Sequence, residues 1–156
     1  MARQAATHVH ALERPVSALI ASPLQRTRES AEPFTDLFGI EPVIDERVIE
    51  PTNVFEGKRM KRALLNPLNW RHLRAPARPS WGEPYAQVIA RMDAAMTDAW
   101  TRADGGDVVI VSHQLPIWVT RSQVERRRLW HDPRNRQCSL ASLTSFTYRD
   151  DEIVAV

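Results

Sequence analysis

Two places in the sequence join an apolar run to side chains that bind anions or carry protons. The run VSALIA at 16–21 is followed by Ser22 and, one helical turn on, by Arg26. The run DVVIV at 107–111 leads into Ser112 and His113. Aliphatic runs of this kind are typical of strands buried in a parallel sheet. Because such strands end at one edge of the sheet, where open α/β folds bind ligands, we expect Arg26 and His113 to meet there.

The chemistry that this pair suggests is phosphate binding. An arginine can hold phosphate oxygens through two parallel hydrogen bonds, and the free N–H groups of a helix amino terminus add to the attraction. From spacing alone, an alternative fits equally well, in which Arg26 is a surface residue and His113 is a packed histidine at a strand end.

The elements that must position these residues follow from the hydrophobic pattern. Two capping boxes are expected, Ser22 with Gln25 and Ser80 with Glu83, and Gly39 should end the second helix. We predict helices over 2–13, 23–38, 58–65, 67–73, 83–103 and 116–125, strands over 16–21, 41–45 and 107–111, a loop over 46–57, and an antiparallel pair over 139–148 and 152–156. This order predicts an α/β fold.

Composition narrows the class of protein. The 156 residues are 43% hydrophobic, which predicts one domain over 1–156. The basic clusters have no aromatic residues between them, so we expect no nucleic-acid partner, although an RNA-binding domain stays a weak alternative. A lone cysteine, Cys138, and the absence of a long apolar run or signal-peptide core predict a cytoplasmic protein without membrane contact.

Four segments together resemble the histidine phosphatase superfamily, also called phosphoglycerate mutase-like. SPLQRTRESA at 22–31 and VVIVSHQLPI at 108–117 are similar to its two phosphate-binding elements. ERVIEPTNVFEG at 46–57 resembles its loop with a glutamate followed by aromatic-Glu-Gly, and WGE at 81–83 stands where the family often has GES. The resemblance implies a three-layer α/β/α fold with a mostly parallel, phosphoglycerate mutase-like sheet.

The resemblance also implies roles for particular residues. In the family a histidine of an RHG motif takes the phosphoryl group, arginines and a second histidine hold its oxygens, and a carboxylic acid protonates the leaving oxygen. By position, Arg26 matches the phosphate-binding arginine, His113 the second histidine and Glu50 the acid. Further substrate contacts are expected from Ser22, Asn53, Arg59 and Arg62, and the basic segment 58–79 is expected to cap the pocket.

The chain departs from the family at its amino terminus. It begins in a helical pattern, and neither the first strand nor the RHG motif is present, so we expect no nucleophilic histidine in this chain and a sheet without its first central strand. We hypothesise that Met1 is an internal methionine of a longer protein. A zinc site from His8, His10 and His113 is conceivable, but residues two apart on a helix lie on different faces, so neither a metal nor a cofactor is expected.

Several functions stay open from the sequence. The leading one is a phosphate-ester hydrolase that acts through phosphohistidine in its full-length form, with a small phosphorylated substrate. The others are an inactive, anion-binding relative and a mutase, which the short segment between Gly57 and Pro79 disfavours. An unpaired strand edge would favour a homodimer.

Overall fold

The computed structural model describes residues 1–51, 82–129, 138–149 and 152–155. The predicted cap segment 58–79, the helices predicted over 58–65 and 67–73, and Asn53, Arg59 and Arg62 lie outside these residues. The described elements are α1 (Ala2–His10), β1 (Val16–Ala21), α2 (Gln25–Phe38), β2 (Val43–Ile44), a 3-10 turn (Glu46–Val48), α3 (Tyr85–Arg102), β3 (Asp107–Val111), α4 (Gln114–Val124), β4 (Thr147–Arg149) and β5 (Glu152–Ala155).

The three strands β2, β1 and β3 form a parallel sheet in that order. Ile20 lies opposite Val43 on one side and Ile110 on the other, and Ala21 lies opposite Val111. β4 and β5 pair as a separate antiparallel hairpin. The predicted α/β fold and the bounds of β1 and β3 are confirmed, while the hairpin strands are shorter than predicted.

Alternate residues of the strands face two apolar clusters. Ile20 belongs to the cluster formed mainly by α3 and α4, against which Val108 and Ile110 pack. Leu19 and Ala21 belong to the cluster formed with α1 and α2. The sheet is therefore the middle layer of three, because helices cover both of its faces.

β3 is less buried than its sequence predicts. Every residue of Asp107–Val111 is half-buried, whereas the last three residues of β1 are buried. β1 has a neighbour on each side, but in the described part of the chain β3 pairs only with β1. Helices cover its faces while its second edge has no described partner, as in a sheet that lacks one central strand.

The helix ends correct three predictions. α1 ends at His10 rather than Glu13, which has a positive φ of 55°. Neither capping box forms at a described helix start: the N-cap residues of α2 and α3 are Leu24 and Pro84, without a side-chain cap. The Ser22 hydroxyl contacts the His113 ring and the Glu83 carboxylate accepts from Arg91 instead, while Ser80 lies outside the described residues. Gly39 does end α2, in the left-handed conformation that glycine adopts without strain.

None of the described helices is both long enough and apolar enough to cross a bilayer.

Candidate active site

The parallel pairing of β1 and β3 places the residues that follow each strand side by side. The register joins Ala21 to Val111, and the next amide, Ser22 N–H, donates to the Val111 carbonyl at 3.1 Å. His113 then starts α4 in an extended conformation. The two junctions singled out in the sequence thus form one site at the carboxyl edge of the sheet.

The His113 ring is held on both nitrogens. Its side chain is 4% exposed, its Nε2 lies 2.8 Å from Ser22 Oγ, and its Nδ1 lies 3.2 Å from an Arg26 guanidinium nitrogen. A guanidinium can only donate, so Nδ1 of the neutral ring accepts and the ring proton sits on Nε2, which donates to Ser22. This tautomer follows from counting donors and acceptors.

Burial, followed by the charges of Arg26 and Arg91, lowers the pKa of His113 to about 4. These effects outweigh the Glu50 carboxylate, whose Oε2 lies 3.6 Å from Nδ1. At neutral pH the ring is therefore uncharged and presents an acceptor toward Arg26.

Arg26 supplies the positive charge of the site. It lies in the first turn of α2, on the exposed surface, and within the described residues no side chain caps that turn. An arginine beside an uncapped helix amino terminus is a favourable place for phosphate oxygens.

Glu50 reaches the site from a segment with little regular structure. Asp45 caps the 3-10 turn before it by accepting the Arg47 amide at 2.8 Å. Val48 is fully buried in the α3 and α4 cluster, and its carbonyl accepts the Ser112 hydroxyl at 2.7 Å. The Glu50 side chain remains 28% exposed.

Ser22 lies against the His113 ring. It is fully buried, and its hydroxyl faces the His113 ring. In this arrangement it supports the ring, and the substrate contact expected of Ser22 stays a prediction.

Sequence reasoning assigned no role to two side chains that bear on the site. Arg91, on α3, lowers the pKa of His113 and donates to the Arg47 carbonyl. Ser112 ties the strand end to the segment carrying Glu50. The sequence shows only that Arg91 lies eight residues after Glu83, and this spacing alone does not predict an ion pair between them.

Residues 1–156 match the family model of the histidine phosphatase superfamily (branch 1). This chain belongs to the histidine phosphatase superfamily. A curated relative, the uncharacterized protein Rv0525 of Mycobacterium tuberculosis, is 46% identical over 159 residues, covering 99% of this chain and 79% of the relative.

Solved structures show the same fold at low identity. The mycobacterial glucosyl-3-phosphoglycerate phosphatase Rv2419c superposes with a TM-score of 0.64 at 20% identity, covering 80% of this chain and 65% of that one. A phosphoglycerate mutase from Bacillus anthracis superposes with a TM-score of 0.62 at 15% identity, covering 83% of this chain and 68% of that one. The phosphoglycerate mutase-like fold is thereby confirmed, and this chain spans about two thirds of each of these structures.

Proposed function

We propose that this chain forms the phosphoryl-binding part of a phosphate-ester hydrolase that works through a phosphohistidine. The observation that carries the proposal is the contact of a buried, neutral His113 with an exposed Arg26, with the Glu50 carboxylate 3.6 Å from the same ring nitrogen. A cation, a proton carrier and a carboxyl group converge on one point at the sheet edge. Family membership supports the reaction class.

In the proposed reaction, Arg26 binds the phosphoryl oxygens as negative charge develops on them. The phosphorus–ester oxygen bond breaks as a bond to an imidazole nitrogen forms, and the Glu50 carboxyl group gives its proton to the departing oxygen. Water then attacks phosphorus, the phosphorus–nitrogen bond breaks, and phosphate leaves. The Glu50 carboxylate takes the proton from that water and is ready for another cycle.

Binding of phosphate should bring a proton to His113. The neutral ring accepts from Arg26 at Nδ1, so it can donate to a phosphoryl oxygen from that nitrogen only after gaining a second proton. A bound dianion favours the charged ring and raises its pKa from the low value of the free site. His113 then contributes both a hydrogen bond and a positive charge.

The nucleophilic histidine is proposed to come from sequence upstream of Met1 in a longer form of the protein. Two findings support this: β3 lacks a described partner on its second edge, and the curated relative is longer than this chain, which covers 79% of it. A stop codon immediately upstream of Met1 in the gene would exclude a misassigned start.

The hydrolase proposal is tested on the longest gene product that contains an upstream histidine. We expect vanadate-sensitive hydrolysis of small phosphate esters, with Arg26→Ala as the inactive control and Arg3→Lys as a control on the far helix. The proposal fails if that product hydrolyses none of a panel of alkyl, sugar and aryl phosphates.

A second candidate is an anion-binding domain without catalysis. It is favoured because, among the described residues, His113 is the histidine at this sheet edge, while His8 and His10 lie on α1. Binding of inorganic phosphate without turnover supports it, whereas an acid-labile phosphohistidine trapped on the 156-residue chain refutes it. The cytoplasmic location, the homodimer and the substrate contacts of Asn53, Arg59 and Arg62 remain predictions.

A further inference from the structure

The segment that carries Glu50 cannot hold its own position. Between β2 and Glu50 it has only the three-residue 3-10 turn Glu46–Val48. One such turn supplies few backbone hydrogen bonds, so the direction of the Glu50 side chain depends on contacts with other elements.

Arg91 supplies one of these contacts. Its guanidinium grips the Glu83 carboxylate through Nε at 2.9 Å and Nη2 at 2.9 Å, and its remaining nitrogen donates to the Arg47 carbonyl. The Arg91 and Glu83 side chains are only 17% and 21% exposed. A planar, doubly held guanidinium of this kind is a rigid donor, which lysine cannot reproduce.

Two further bonds show that the segment is anchored residue by residue. The Arg47 side chain bridges Asp45 at 2.8 Å and Asp98 on α3 at 2.7 Å. The next carbonyl along the chain, that of Val48, accepts from Ser112 beside His113. The backbone of Arg47 and Val48 is thus fixed between α3 and the end of β3, two residues before Glu50.

We infer that Arg91, oriented by Glu83, is a positioning residue that holds the Glu50 carboxyl group against His113. The inference rests on the proposed function for its catalytic meaning, because Glu50 is there the proton donor to the leaving oxygen. Arg91 acts through the Arg47 carbonyl and does not itself touch the substrate.

The contact can be tested on the 156-residue chain without any activity. Glu50→Gln removes the carboxylate beside Nδ1 and should change the ¹⁵N chemical shifts of the His113 ring at pH 7. In an Arg91→Lys background, which keeps the charge but loses the fork, the same substitution should change these shifts by no more than about half as much. Equal changes in both backgrounds overturn the inference.

Two controls keep this test decisive. Arg3→Lys makes the same exchange in an exposed ion pair, to Asp36 on α2 at 3.5 Å, and should leave the Glu50→Gln effect at its full size. If Arg91→Lys does not fold, Glu83→Gln replaces it, since it loosens the grip on Arg91 and keeps the guanidinium. An undiminished Glu50→Gln effect in Glu83→Gln again refutes the inference.

Kinetics of the longer, active product distinguish positioning from general damage. A misplaced proton donor matters most when the leaving oxygen is a poor leaving group, so Arg91→Lys should lower kcat about tenfold for an alkyl phosphate and little for p-nitrophenyl phosphate, with KM nearly unchanged. If Arg91→Lys lowers kcat equally for both substrates, the proposed hydrolase function stands but the positioning role of Arg91 is refuted. If the parent hydrolyses no phosphate ester of the panel, the proposed function fails, and the chemical-shift test still decides the role of Arg91.

Discussion

The two ends of the paired strands β1 and β3 use polar residues in opposite ways. At the carboxyl end, Arg26 is exposed and the acceptor nitrogen of a buried His113 faces it. At the amino end, Arg14 contacts Asp107 at 2.6 Å, and Ser17 Oγ donates to the Ala103 carbonyl at 2.7 Å. The Asp107 amide completes this end by donating to the Pro15 carbonyl at 2.7 Å.

The difference shows where the fold has room for a ligand. The amino end pairs its charges with each other and packs closely, since a Cβ on Gly106 would lie 1.9 Å from Ser17 Oγ. The carboxyl end gathers an exposed arginine, a buried neutral ring and the Glu50 carboxylate. An exposed arginine beside a helix amino terminus suits an anion, whereas the closed end serves stability.

Acidification should reveal the buried ring at the carboxyl end. Above pH 6.5 His113 is neutral in both states, but between pH 6.5 and about 4 the unfolded chain binds a proton that the folded chain does not. The free energy of unfolding should therefore fall as pH falls through this window, by on the order of 3 kcal/mol from this residue. Urea unfolding of the parent and of His113→Asn across pH 4–7 measures the pH-dependent part of the unfolding free energy that His113 contributes. If the two proteins have parallel pH profiles, the prediction is wrong.

Removing the arginine at each end should affect phosphate affinity differently. Arg26→Ala loses a charge-assisted, two-pronged contact and should weaken inorganic phosphate binding by roughly 30-fold. Arg14→Ala, at the closed end, should leave the affinity within about twofold. Isothermal titration of both variants decides the matter, and equal losses would erase the distinction between the ends.

Filling the closed end should cost stability but not binding. Gly106→Ala forces Ser17 to give up its bond to the Ala103 carbonyl and crowds the Pro15 carbonyl, at a cost of about 1.5 kcal/mol in unfolding free energy. In a Ser17→Ala background the same exchange should cost less. A drop in phosphate affinity without a drop in stability would argue against a purely structural amino end.

The smallest effect is expected for the Arg14–Asp107 ion pair. Its arginine side chain is 67% exposed, so solvent screens most of the attraction. Arg14→Ala should lower the unfolding free energy by less than about 0.5 kcal/mol, measured by urea unfolding at low salt. A loss several times larger would show that the closed end depends on charge rather than on packing.

Sequence patterns predicted the strands and the end of α2 well because these features depend on residues close together in the chain. The aliphatic runs 16–21 and 107–111 became β1 and β3, and Gly39 ended α2 through its left-handed backbone. The capping boxes failed because their side chains have other partners. The Ser22 hydroxyl contacts the ring of His113, which is far away in the sequence, and the Glu83 carboxylate accepts from Arg91, eight residues along the chain. A short-range rule cannot weigh such competing partners.

By itself the sequence determined the order of the predicted strands and helices, the two polar strand ends and the family that the chain resembles. Each of these is read from short runs of consecutive residues. Only the tertiary structure decided how the ends combine. It buried the ring, set its proton on Nε2 through Ser22 and Arg26, and tied Glu50's segment to α3 through Arg91. These features depend on the distances between residues that are far apart in the chain. Only the packing of the three layers sets those distances.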